Sequence, residues 1–193
     1  MKISNKYLVF AGAALMLVSC DLDKLPEGDV VTGDQKEEII NKRPNLITAE
    51  VNAMAAKLNQ FGTISTSSTY HSDYGVAAIA QLIDQSGQDM PVTTSGYNWF
   101  GRAQNYADRV YDSSDDELIW KTFYNHMKAA NSVLTLTEGS DDASLKIYRG
   151  QAFAARAYDY LNLAQFYQFT YAGHENALCV PIVTEKKTDE ELQ

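Results

Sequence analysis

Ser113-Ser114-Asp115-Asp116-Glu117-Leu118-Ile119-Trp120-Lys121-Thr122-Phe123-Tyr124-Asn125-His126-Met127-Lys128-Ala129-Ala130-Asn131-Ser132-Val133-Leu134-Thr135-Leu136 is the stretch on which the fold turns. Its serines and the acids behind them supply a cap and a favourable first turn, because the free amides at a helix start attract hydroxyl oxygens and negative charge. Trp120, Tyr124, Met127, Asn131 and Leu134 then recur at spacings of four and three, which places them on one buried seam. The pattern predicts a helix through about Leu136.

Working outward, a short turn leads to a second helix that begins at Asp141 or Asp142 and runs past Leu145 to about Phe169. It would be about 39 Å long at ~1.5 Å per residue. Ala152, Ala154, Ala155 and Ala157 admit close neighbours, while Phe153, Tyr158, Tyr160, Leu161, Leu163, Phe166 and Tyr167 cover several faces. Apolar character on most sides predicts a helix in the middle of a bundle. Two strong helices joined by a short turn form an antiparallel hairpin, the unit of helical solenoids such as tetratricopeptide repeats, although no second copy of the full repeat pattern is present. The expected fold class is therefore all-α, a bundle or solenoid of such hairpins.

Toward the N-terminus, Ile39, Ile40, Leu46, Ile47, Val51, Met54, Ala55 and Leu58 keep a helical spacing. Pro44 suits a first turn and not an interior, so the reading is a short helix before Asn41 and a longer one from about Asn45. Tyr74 to Ile83 forms a further helix, capped by Ser72 or Asp73. Between it and Ser113 lies a long irregular segment, from Asp84, with Gly87, Pro91, Gly96 and Gly101. Loops of that length are either functional or disordered, and Tyr97, Trp99, Phe100, Tyr106 and Tyr111 argue for order.

The first residues set the compartment. Lys2 and Lys6 precede an apolar run from Tyr7 to Val18, the layout of a secretory signal peptide and too short for a comfortable membrane span of ~20 residues. The run ends in Leu17-Val18-Ser19-Cys20, which looks like a lipobox, with Cys20 the lipidated new N-terminus. Residues 1–19 are then the leader, 20–33 a tether with Pro26, Gly28 and Gly33, and 34–193 the helical domain. Cleavage would leave 193 − 19 = 174 residues and a side-chain balance of 14 − 25 = −11. So acidic a chain is not drawn to an anionic leaflet, which leaves lipid as its membrane anchor. Cys179 becomes the sole free cysteine and reads as a small buried hydrophobe.

The whole chain has 16 Lys plus Arg against 25 Asp plus Glu, and a formal net charge of −9. Without a basic patch it is not a nucleic-acid binder. Two cysteines exclude a disulfide scaffold and a four-cysteine zinc site. His71-Ser72-Asp73 places hydrolase residue types in a row, but triads are assembled from separate segments. His174-Glu175 lacks a second metal-binding histidine, and there is no phosphate loop, dinucleotide fingerprint or EF-hand. Asp84 and Asp89 could be a glycosidase pair only if space brings them together, and read better as turn residues. No cofactor, metal or catalytic residue is assigned.

The lipobox, Trp120 to Leu134, Ala152-Phe153-Ala154-Ala155-Arg156-Ala157-Tyr158 and Val180-Pro181-Ile182-Val183 together resemble the N-terminal part of the SusD/RagB family. Asp84-Gln85-Ser86-Gly87-Gln88-Asp89-Met90 and Tyr97-Asn98-Trp99-Phe100 resemble a subgroup of it. The resemblance implies a surface-exposed outer-membrane lipoprotein with tetratricopeptide-like hairpins. It implies a lid over a SusC-like TonB-dependent β-barrel transporter that helps capture an oligo- or polysaccharide or other nutrient, without catalysis. Family members are commonly more than twice as long, so it also implies the N-terminal portion of a longer protein, with its ligand site and apolar faces incomplete.

Sugar recognition needs flat aromatic faces with polar groups beside them. Tyr97, Asn98 and Trp99, with Tyr70 and Asp73 at the preceding junction, have that chemistry. Trp99 and Tyr97 could equally pin their loop to the bundle. Trp120, Asn131 and Arg156 read as structural: Arg156, set among alanines, needs a carboxylate or helix-end carbonyls. Two other functions stay open, a non-enzymatic scaffold for envelope proteins and a surface glycoside hydrolase.

Overall fold

The computed structural model describes residues 31–65, 69–91 and 96–185. The leader, Cys20 and most of the tether lie outside them. The chain divides into two compact units, Met1–Glu38 and Ile39–Gln193. In the first, Thr32 and Gln35 form a reciprocal cap: the Thr32 amide donates to Gln35 Oε1 at 2.8 Å and the Gln35 amide to Thr32 Oγ1 at 3.3 Å. They start helix α1, Gly33–Lys42, whose final turn opens the second unit.

The second unit is helical, and no strand occurs among the described residues, only a lone antiparallel bridge between Phe61 and Tyr74. A 3₁₀ turn, Pro44–Leu46, leads into α2, Ile47–Ala56, with the proline at the first position as its ring requires. The helices follow as α3, Gly75–Ser86; the short α4, Gly101–Gln104; α5, Ser114–Leu136; and α6, Ala143–Tyr167. The α1–α2 break falls at Pro44 as expected, but α2 is no longer than α1. Part of the long irregular segment is helical, through the end of α3 and α4.

Both strong helices start where their caps predict. Ser113 Oγ accepts from the Asp115 amide, and Asp142 Oδ1 accepts from the amides of Ser144 and Leu145. They form the antiparallel hairpin: along it, Asp116 contacts Tyr167, His126 contacts Asp159, and Leu134 contacts Arg149.

Among the described residues the core consists of three apolar clusters, and α5 contributes to each. Leu118, Ile119, Phe123 and Met127 meet Ala78, Ile79 and Leu82 of α3, with Ala103 and Leu163. Ala130, Val133 and Leu134 meet Met54 and Ala152. Leu136 meets Ile40, Ile47 and Leu145. The middle of the bundle is therefore α5. The expectation for α6 is corrected: only Leu145, Ala152, Asp159 and Leu163 of it are buried, and Ile147, Phe153, Tyr158 and Leu161 face outward.

The predicted seam on α5 is also displaced. Its buried face runs through Ile119, Phe123, His126, Met127, Ala130 and Leu134, while Trp120 remains 38% exposed. The irregular segment after α6 covers the flank. Tyr124 Oη donates to the Pro181 carbonyl at 2.8 Å, and Asn131 Nδ2 to that of Val183 at 3.4 Å. The Val183 amide donates to Tyr160 Oη at 2.6 Å. On the same segment Cys179 is exposed, against its reading as a buried hydrophobe, because the irregular chain there lies on the surface rather than between the helices.

Candidate functional site

Two loops converge on one aromatic cluster. The first carries residues 61–65 and 69–73, and Asp73 organises its start. Its Oδ1 accepts from the Thr63 and Ile64 amides at 3.1 and 3.2 Å, and its Oδ2 from the Ile64 and Ser65 amides, both at 3.1 Å. With only 2% of Asp73 exposed, no oxygen is left for a sugar hydroxyl. The ligand role expected of Asp73 is therefore corrected to a loop-building one, and Asp73 does not cap α3, whose N-cap Tyr74 makes no side-chain cap bond.

Gly75 fixes how this loop enters α3. Its φ is +54°, and a Cβ there would lie 2.1 Å from the Leu58 carbonyl oxygen. That carbonyl accepts from the Val76 amide at 2.8 Å, so the chain passes too close for a side chain.

The second loop carries Tyr97, Asn98 and Trp99. Asn98 has φ +49°, in the left-handed region that asparagine tolerates better than most residues. Its side chain packs over Gly101, where a Cβ would lie 2.2 Å from Asn98 Nδ2, and the Gly101 amide donates to the Asn98 carbonyl. The reversal presents the two rings on either side of it together. Tyr97 stacks on Trp99 with centroids 5.5 Å apart and planes at 23°. Tyr70, from the first loop, meets Trp99 at 5.1 Å, and His71 lies edge-on at 6.2 Å.

Trp99 is the hub, half-buried, while Tyr97 is 86% exposed and Tyr70 exposed. The structure thus joins Tyr70, Tyr97 and Trp99, nearly thirty residues apart, with Asn98 exposed beside them. The arrangement serves both readings of these rings: Trp99 anchors the loop, and Tyr97 offers a flat face to solvent. His71, Ser72 and Asp73 form no relay, since Asp73 is committed to backbone amides and His71 turns to Trp99. Asp84 and Asp89 are both exposed, at the end of α3 and in the turn after it.

The remaining singled-out residues lie elsewhere. Trp120 packs on Tyr124 at 4.6 Å and edge-on to Tyr167 at 5.1 Å. Arg156 pairs with Glu185 at 2.5 Å in a largely buried contact and lies over the Phe153 ring. Tyr124, beside them, is pushed up to about 12, by burial first and then by Tyr160 and Cys179.

Two features escaped the sequence reading. His126 Nδ1 lies 2.8 Å from Asp159 Oδ1 in a wholly buried pair across α5 and α6, and burial raises the Asp159 carboxyl against the opposing pull of His126. Sealed inside the hairpin, the pair meets no substrate. The other is a groove of about 660 Å³ bounded by α3, the start of α5 and the end of α6. Its acids, spread from 108 to 116, have no spacing that marks a site.

No three or more metal-ligating side chains gather among the described residues, and no described helix is long and apolar enough to cross a membrane. No curated protein matches the chain. Among protein families, residues 34–193 match the SusD-like family described as starch-binding and associating with the outer membrane. The match runs from α1 through the aromatic loop, the central hairpin and the segment that covers it, and the chain therefore belongs to the SusD-like family.

Proposed function

We propose that this protein is an outer-membrane surface lipoprotein, anchored through Cys20 and facing the cell exterior. It binds glycan and passes it to a TonB-dependent β-barrel transporter without catalysing a reaction. The observation that carries the binding role is the Tyr70–Tyr97–Trp99 cluster, in which an almost fully exposed ring stands on a half-buried one. Such a platform suits the C–H face of a pyranose, and Asn98 beside it can exchange hydrogen bonds with the ring hydroxyls. The family's description as starch-binding makes an α-glucan the first ligand to try.

Affinity electrophoresis in gels containing soluble starch or other polysaccharides tests the binding. Retardation by at least one glycan is expected, with Trp99→Ala or Tyr97→Ala weakening it about tenfold, the scale of one lost ring stack. Unchanged retardation in folded variants would overturn the assignment. Delivery is tested by purifying the acylated protein from its own outer membrane in mild detergent. A stoichiometric β-barrel transporter is the expected companion, and its absence would count against the uptake role.

A further inference from the structure

The groove beside α3 carries a ligand chemistry different from the platform's. At about 660 Å³ it has the size of a small-molecule site. Asp108, Asp115 and Asp116 line it with Arg109, Tyr111 and Phe166. Asp108 is 8% exposed, yet its Oδ1 has no hydrogen-bond partner. A buried acceptor left unpaired is costly, so a donor arriving there would be bound strongly.

Its neighbours supply no such donor. Asp115 is buried as well, and its carboxyl is raised by burial and then by the charge of Asp108, against the pull of Arg102. Arg102 Nη2 donates to the Ala107 carbonyl, and the Arg109 guanidinium lies over the Tyr106 ring at 4.4 Å. Asp116 Oδ1 accepts from Tyr167 Oη at 2.9 Å. Acceptors and negative charge are thus in surplus: three carboxylates stand against Arg109 in the wall and Arg102 nearby.

We propose that this groove is a second ligand site that takes a saccharide unit bearing a protonated amine. The ammonium donates to Asp108 and offsets the surplus charge, which a neutral sugar does not. Tyr111, 96% exposed at the rim, provides a ring for the sugar's C–H face or for the cation itself. That the guest is a saccharide rests on the glycan-binding reading; that it is cationic rests on the groove alone.

The test is calorimetric titration of the full chain with a glucosamine tetramer and with its N-acetylated, uncharged counterpart, at low salt. The amine tetramer should bind about tenfold tighter or better, and Asp108→Asn and Tyr111→Ala should each remove most of that preference. Asp108→Asn removes a charge that repels Asp115, and Tyr111 is exposed, so both variants should fold. Equal binding of the two tetramers, or no binding, overturns the proposal. So does an amine preference that survives both groove variants but disappears in Trp99→Ala, since the guest would then sit on the platform. An Asp108-dependent amine preference in a protein that no neutral glycan retards would uphold this site and refute the platform reading alone.

Discussion

Asp73 and Asp115 are both buried carboxylates, and their neighbours give them opposite consequences. Asp73 accepts from three consecutive backbone amides, which ties down the first loop of the platform. Asp73→Ala leaves those amides unpaired and should cost about 3 kcal/mol in chemical unfolding; a loss within ~0.5 kcal/mol would contradict the role. For Asp115, burial and Asp108 raise the folded-state value above the ordinary 3.8, so ionisation costs more folded than unfolded. Its contribution to stability is full below 3.8 and is lost as pH rises through the raised folded value. Asp115→Asn, which stays neutral, should therefore gain on the parent as pH rises from about 3.5 to 7, read by urea unfolding at each pH. A constant difference would contradict this. At this scale the sequence makes the aromatic residues of the proposed platform legible, because Tyr97 and Trp99 sit in a loop too aromatic to be disordered. It does not make Asp73 legible, since the amides it binds lie eight to ten residues upstream and carry no side-chain signature.

The helices differ in how far pattern alone describes them. α5 and α6 begin at Ser113 and Asp142 caps because capping is local, a side-chain oxygen meeting an amide two or three residues on. Which face is buried is not local. The α5 seam turns out displaced on the side where residues 180–183, far along the chain, meet Tyr124 and Asn131: the Pro181 and Val183 carbonyls accept from their side chains, and Val180 and Val183 pack on the core beside Tyr124. α6 is apolar around most of its surface, and that pattern cannot say which side meets a neighbour. The His126–Asp159 pair joins residues 33 apart and was likewise invisible. Where the chain leaving α2 passes the start of α3, the decisive residue is Gly75. Gly75→Ala combines a strained φ with a clash against the Leu58 carbonyl and should destabilise by about 2–3 kcal/mol. Thermal melting checks this, and an unchanged melting temperature would contradict the close approach of Leu58.

At the scale of the whole molecule, one helix at the centre of the second unit, with others around it, holds the loops on which the proposed platform stands. The central α5 joins all three apolar clusters, while the aromatic platform stands on loops either side of α3. The groove borders α3, α5 and α6, and is acidic where the platform is aromatic. Helices that carry polar and aromatic side chains on their connections are the usual division between stability and recognition. The chain has two tryptophans, Trp99 in the platform and Trp120 on α5, so its indole N–H groups give two distinguishable reporters. The most direct measurement is a titration of the ¹⁵N-indole-labelled protein with a neutral oligosaccharide of whichever glycan retards it. Glycan binding at the platform predicts a saturable shift of the Trp99 indole signal with Trp120 left in place. A shift of Trp120 alone, or of neither while calorimetry records binding, would contradict it.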